Sequence, residues 1–172
     1  MEASNAGRFP PRQTTQPMRD AATWFGNYSR DHQNPTNRLI HWICVPAITW
    51  TVVALVWLIP VPSWLGRPGL WAVLAMFLAF CFYYYRLSRK IGLAMAGAFL
   101  ILAFVTDTLY QGLGITGLAW LAIGVFVVAW VGQFIGHKIE GRRPSFFTDL
   151  QYLLIGPAWL MSKALGRFGV SY

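Results

Sequence analysis

The sequence contains few charged residues, few cysteines and few histidines. Of its 172 residues, 12% are charged and 56% are hydrophobic, and the mean hydropathy is +0.45. This composition excludes a typical water-soluble domain and indicates a membrane protein. The two cysteines, Cys44 and Cys81, lie inside apolar segments. A disulfide framework is therefore excluded, and buried packing positions are favoured over reactive thiols.

The N-terminal residues lack the hydrophobic core of a secretory signal peptide. They are rich in Pro, Arg and Gln, and the first apolar run begins near residue 40. We therefore predict a disordered tail over residues 1–21, no cleavable signal, and a first helix that directs its own membrane insertion. Residues 22–172 are predicted to form a single integral membrane domain.

Four segments have the apolar character of membrane-spanning helices. The predicted spans are residues 40–60, 70–85, 91–105 and 117–136. A span needs about 20 apolar residues, within a range of roughly 17 to 25, so the second and third must include neighbouring residues or be shielded by other helices. We predict an all-α integral membrane bundle of four transmembrane helices.

The C-terminal residues 146–172 contain apolar patches that are broken at Gly156-Pro157. This segment is too interrupted to be a further span. We predict a re-entrant or interfacial amphipathic segment, which could cover a site or guide a lipid into it.

The basic residues are distributed by loop. The net charge is +8, yet Lys and Arg gather before the first span, between the second and third, and after the fourth, while the other two loops contain only Arg67. This positive-inside pattern predicts that both termini are cytoplasmic, and it argues against a nucleic-acid partner. A bacterial inner membrane and the endoplasmic reticulum both fit, and the lack of a C-terminal retention signal favours the former.

The three histidines all lie where polar sequence meets apolar sequence. His32 and His41 flank the start of the first span, and His137 closes the last. With an even number of spans, these borders lie on the same membrane face, so one shared site is geometrically possible. A metal ion is the first candidate ligand, because imidazole is a common metal ligand.

The first motif surrounds the predicted start of a helix. Asn34 followed by Pro35 is typical of a helix N-terminus, so the helix should begin at Pro35. Asn37 and His41 are four residues apart and share a face. Because the helix begins only at Pro35, the residues before it can turn, and His32 can fold back over the helix start and approach His41. Taken singly, each histidine could instead be an interfacial side chain or a satisfied polar residue between helices.

The second motif ends the last span. Gln133, His137 and Glu140 share one helical face, while Gly132 and Gly136 form a small-xxx-small pair that lets another helix approach closely. Polar groups are therefore predicted to line an inner face.

Two arginines follow this helix. Arg142 and Arg143 fit the positive-inside pattern, and their guanidinium groups could also hold an anionic headgroup or a carboxylate. Together with Asn37 and Gln133, they are the predicted substrate-binding residues.

The two motifs together resemble the Mpo1-like family. The matching residues are His32, Asn37, His41 and Pro46, followed by Gln133, Gly136, His137, Arg142, Arg143 and Pro144. The resemblance implies a membrane-embedded, Fe(II)-dependent dioxygenase that carries out α-oxidation of 2-hydroxy fatty acids with O₂, to products one carbon shorter. It implies that His32, His41 and His137 are catalytic iron ligands. The chain departs from the family pattern at two positions. Gln33 stands where a second histidine often follows the first, and the acidic residue after the late histidine usually lies one place further on than Glu140.

Ligand chemistry agrees with that implication. Imidazoles with one carboxylate leave positions on Fe(II) for a 2-hydroxy carboxylate and O₂. Glu140 is the preferred fourth ligand or orienting residue, because it shares a face with His137. The alternatives for this role are Asp31, Asp149, Gln33 and water.

Other functions remain as alternatives. Zinc suits the same ligands, which allows a zinc-dependent lipid hydrolase, although redox chemistry needs iron. Three histidines are too few for the two-metal sites of membrane desaturases and hydroxylases. A non-enzymatic scaffold or transporter is the remaining alternative, but we find no inverted repeat, and all histidines lie on one side. Acyl chain-length preference and oligomeric state are left open.

Overall fold

The structure is a computed structural model that describes residues 21–30, 32–141 and 146–171, with the backbone alone for 146–152. Within these ranges the chain is helical and contains no β-strand, so the predicted all-α class is confirmed. The helices are α1 (Ala21–Arg30), α2 (Pro35–Trp57), α3 (Leu70–Leu87), α4 (Arg89–Glu140) and α5 (Phe146–Arg167). Residues Phe80–Tyr84 of α3 form a π-helical turn.

The sequence analysis does not predict α1. The predicted disordered tail lies outside the described residues except for Ala21, with which α1 begins. A helix of ten residues is marginal by itself, because so few hydrogen bonds offset the cost of nucleation. Its stability therefore depends on packing, and Phe25 and Tyr28 are buried against the rest of the protein.

Helix α2 begins where the sequence predicts. The side chain of Asn34 accepts hydrogen bonds from the backbone amides of Thr36 (2.9 Å) and Asn37 (3.4 Å), and Pro35 occupies the first helical position. The helix ends at Trp57 rather than continuing to residue 60. The residue before a proline is disfavoured in helical geometry, so Pro60 accounts for this earlier end.

Three helices among the described residues are long and apolar enough to cross a membrane: α2, α3 and α4. The sequence predicts four spans. The count differs because the predicted third and fourth spans, residues 91–105 and 117–136, both lie within α4. Between them lies Gly114, whose φ of 67° and ψ of −176° are non-helical. Only glycine adopts these angles readily, so the 52-residue helix is kinked at this position.

Helices α2 and α4 approach closely through glycines, as the small-xxx-small spacing predicts. A Cβ atom on Gly132 would lie 2.7 Å from Sγ of Cys44, and one on Gly136 would lie 2.3 Å from Oδ1 of Asn37. Because these two glycines have no side chain, α4 can lie directly against α2, and the second motif meets the first.

The C-terminal segment is one continuous helix through Gly156-Pro157, where its apolar patches are interrupted. Helix α5 continues from Phe146 to Arg167 with Pro157 inside it. A proline within a helix removes one backbone hydrogen bond. Here packing offsets that cost, because Ile155, Ala158 and Trp159 are all buried.

Replacement of Gly92 by alanine should destabilise the bundle. The added Cβ would lie 2.7 Å from Cα and 2.9 Å from N of Tyr85, and backbone atoms cannot easily move away. We expect a loss of about 1 to 3 kcal/mol, seen as a lower thermal unfolding midpoint in detergent. The control is Gly97→Ala on the same helix, where no atom lies within 4 Å. Equal midpoints for the two variants would contradict this account of the α3–α4 contact.

Candidate metal centre

Three imidazoles from three segments meet at the end of the bundle where α2 begins. His32 lies in the link between α1 and α2, His41 on α2, and His137 near the end of α4. The ring centroids are 4.3 Å apart for His32 and His41, 5.2 Å for His41 and His137, and 5.7 Å for His32 and His137. One nitrogen of each ring lies within 4.8 Å of the other two. One metal ion could therefore contact all three.

Backbone carbonyls orient two of these rings. Nδ1 of His32 donates to the carbonyl of Tyr28 (2.7 Å), and Nδ1 of His41 donates to the carbonyl of Asn37 (2.9 Å). A carbonyl can only accept, so each Nδ1 carries a hydrogen, and in the neutral ring Nε2 then presents a lone pair. This is the arrangement in which metal-binding histidines are usually held.

The two Nε2 atoms face each other at 3.0 Å. A positive charge between the two nitrogens makes this contact favourable, and either a hydrogen on one Nε2 or a metal ion bound to both supplies it. The spacing is compatible with one ion about 2.0 to 2.1 Å from each nitrogen, the usual distance for zinc and imidazole. The donor set therefore fits a transition-metal ion.

Aromatic residues that the sequence analysis missed cover this centre. Tyr28 stacks on His32 with a centroid distance of 4.1 Å, and Trp159 of α5 lies 5.9 Å from the same ring. The indole N–H of Trp159 donates to Oγ of Ser29 (2.9 Å), which ties α5 to α1. Consequently His32 and His41 are only 4% and 2% exposed. The spacing of four residues between Tyr28 and His32 is a sequence signal, whereas Trp159 has none.

Glu140 lies at the junction of α2 and α4. Its carboxylate accepts hydrogen bonds from the backbone amides of Gln33 (2.8 Å) and Asn34 (3.0 Å). It also accepts one from Nδ2 of Asn37 (2.9 Å). The three-histidine group does not include it. The sequence leaves two roles open for Glu140, a fourth metal ligand or an orienting residue. These hydrogen bonds favour the orienting role.

The remaining predicted site residues fall into two groups. Asn37 and Gln133 are buried one helical turn before His41 and His137 respectively, and their side-chain oxygens have no hydrogen-bond partner among the described residues. Oδ1 of Asn37 lies against Gly136 of α4. Outside the described side chains lie Arg142, Arg143, Asp31 and Asp149.

Comparisons with known proteins agree with these motifs. A family model described as 2-hydroxy-palmitic acid dioxygenase Mpo1-like matches residues 18–168, which include all three histidines. The chain is 31% identical over 158 residues to the 2-hydroxy-palmitic acid dioxygenase MPO1 of Saccharomyces cerevisiae. That alignment covers 87% of this chain and 82% of the relative. No solved structure matches the chain.

Replacement of Glu140 by alanine should loosen the junction of α2 and α4. Three N–H donors would lose their acceptor, and the free energy of unfolding should fall by about 1 to 2 kcal/mol. Thermal unfolding in detergent measures this loss. Glu140→Gln retains an acceptor oxygen and should recover part of the stability. If the alanine variant unfolds at the wild-type temperature, the hydrogen bonds of Glu140 do not contribute to the stability of the helix junction.

Proposed function

The chain belongs to the Mpo1-like family, and we propose that it is an integral membrane, Fe(II)-dependent dioxygenase. It would carry out α-oxidation of 2-hydroxy fatty acids with O₂, to products one carbon shorter. The observation that carries this proposal is the group of His32, His41 and His137, of which the first two are buried. The name of the yeast relative supplies the substrate class.

The three histidines would hold the iron. Three neutral imidazoles leave positions for further ligands, which substrate and O₂ both require. Bound iron would supply the oxygen chemistry that no amino-acid side chain provides. The carbonyls of Tyr28 and Asn37 fix the ring tautomers, so that Nε2 of His32 and His41 face the same point.

Glu140 is proposed as a positioning residue that acts through Asn37. Its carboxylate binds the side-chain amide of Asn37, and the backbone carbonyl of Asn37 accepts from Nδ1 of His41. The end of α4 therefore fixes the ring of a proposed ligand on α2. The fourth coordination position is left to substrate or water.

Substrate binding is proposed for polar groups on both sides of His137. The buried oxygen of Gln133, one helical turn earlier, could accept the hydrogen of a 2-hydroxyl group. Arg142 and Arg143, which follow Glu140 closely in sequence, could bind the carboxylate. Tyr28 and Trp159 would exclude water from the reacting end.

Four membrane crossings are proposed, with α4 as two of them. A straight helix of 52 residues would separate its ends by about 78 Å. Yet Gly92 lies against Tyr85, and the preceding residue Tyr84 donates to the carbonyl of Leu154 on α5. At its other end, α4 brings His137 to the centre covered by α5. Both ends of α4 are thus close to α5, which supports a reversal at Gly114.

The proposed orientation follows from this topology and from the basic loops. Both termini would be cytoplasmic, in a bacterial inner membrane rather than the endoplasmic reticulum. Helix α5 would lie as an interfacial amphipathic segment over the centre. Its exposed residues Lys163 and Arg167 would face the headgroups.

Loss of a proposed ligand should remove the metal. We expect about one iron per purified wild-type chain, and His41→Ala and His137→Ala should each lose most of it. The matched controls are Ile43→Ala and Ile135→Ala, two residues away on the exposed faces of the same helices. Elemental analysis of folded protein measures the result, and full iron retention in both histidine variants would refute a shared site.

Activity should depend on iron and not on zinc. Purified protein supplied with a 2-hydroxy fatty acid should consume O₂ and yield a product one carbon shorter, as measured by an oxygen electrode and mass spectrometry. Chelation should abolish uptake, and Fe(II) but not Zn(II) should restore it. Lipid hydrolysis restored by Zn(II) would instead support the hydrolase that the same three nitrogens permit.

A further inference from the structure

An apolar cavity of about 150 Å³ lies between α2, α3, α4 and α5. The cavity is half open to the outer surface of the bundle. Open apolar spaces between helices are common ligand sites, and the proposed metal centre does not account for this one.

The wall of the cavity is hydrocarbon. Its two hydroxyl-bearing residues are Thr49 and Tyr84. Thr49 donates to the carbonyl of Val45 (2.8 Å), and Tyr84 donates to the carbonyl of Leu154 (3.0 Å). Both hydroxyl hydrogens are thus used within the protein. The cavity is suited to an alkyl chain rather than to a polar ligand.

Helix α3 makes the space. Ala72, Ala75, Met76 and Ala79 line the cavity at helical spacing, so three small side chains share one face with a flexible one. The π-helical turn begins directly after Ala79 and contains Tyr84, which is 1% exposed. Such turns within α-helices are rare and are frequent at functional sites.

The cavity lies on the same face of α2 as the proposed metal centre, because Val45, Thr49 and Val52 follow His41 at helical spacing. Val45 lies one turn beyond His41, and a Cβ atom on Gly156 would be 3.4 Å both from this valine and from the hydroxyl of Tyr28. The cavity begins one turn further on, at Thr49. At 1.5 Å per residue, its lining on α2 from Thr49 to Val56 lies roughly 12 to 22 Å from His41 along the helix axis.

We propose that this cavity holds the hydrocarbon tail of the lipid substrate and that Ala72 and Met76 set the chain length accepted. This proposal rests on the proposed function, which places the polar end of that lipid at the three histidines. Position and chemistry identify the occupant: a carboxyl and hydroxyl group at the imidazoles would leave an unbranched tail directed towards an apolar space. Gly69 contacts Trp57, so α3 starts beside the end of α2 that is remote from His41. Ala72 therefore lies at the far end of the cavity.

The test compares oxygen uptake across a series of 2-hydroxy fatty acids of increasing length. Ala72→Phe should fill the far end and lower the ratio of activity on the longest to the shortest substrate by about tenfold. Met76→Ala should enlarge the space and raise that ratio. The matched control is Val73→Phe, whose side chain is 47% exposed on the outer surface. It should leave the ratio unchanged.

An unchanged ratio in both Met76→Ala and folded Ala72→Phe would overturn the proposal while leaving the proposed function intact. If Ala72→Phe does not fold, the ratio for Met76→Ala decides, since that change only removes atoms.

A binding measurement separates this inference from the reaction. A 2-hydroxy fatty acid with a photoreactive diazirine at its methyl end, bound without O₂, should label the segments around residues 49–56 and 72–79. Labelling there without any turnover would support the cavity and count against the proposed function. Labelling elsewhere, with the same pattern in Val73→Phe and Met76→Ala, would overturn the cavity assignment.

Discussion

The meeting of three imidazoles at one end of the bundle, with two Nε2 atoms 3.0 Å apart, is the constraint around which the rest of the structure is arranged. Each of these two rings is buried and fixed by a carbonyl within its own segment, so neither can rotate away without losing a hydrogen bond. The link between α1 and α2, the start of α2 and the end of α4 therefore meet at one place, where three imidazole nitrogens could hold one cation.

Close helix packing makes that convergence possible. Gly132 and Gly136 let α2 lie against α4, and Glu140 joins their ends through hydrogen bonds to Gln33, Asn34 and Asn37. The polar groups are thereby confined to one end of the bundle. The hydrocarbon-lined cavity lies further along α2, so the histidines and the apolar space are separated along one helix.

Local signals in the sequence predict much of this arrangement. The Asn34-Pro35 pair specifies the start of α2, because its capping hydrogen bonds involve only neighbouring residues. The glycine spacing on α4 predicts a close helix contact for a similar reason. By contrast, α1 and the continuous α5 are not predicted. Both depend on contacts between distant residues, such as that of Trp159 with Ser29, which no local pattern contains.

The sequence by itself determined the helical class, the apolar segments and the three histidines as candidate ligands, since composition and periodicity reflect local preferences. The tertiary structure alone decided which nitrogens face one another, that Glu140 binds the N-terminus of α2, and where the cavity lies. Those features depend on how the link before α2 folds back over the helix and on contacts between distant residues, such as Glu140 with Gln33 and Asn34. Such contacts result from packing the whole bundle, so they cannot be read from any one segment.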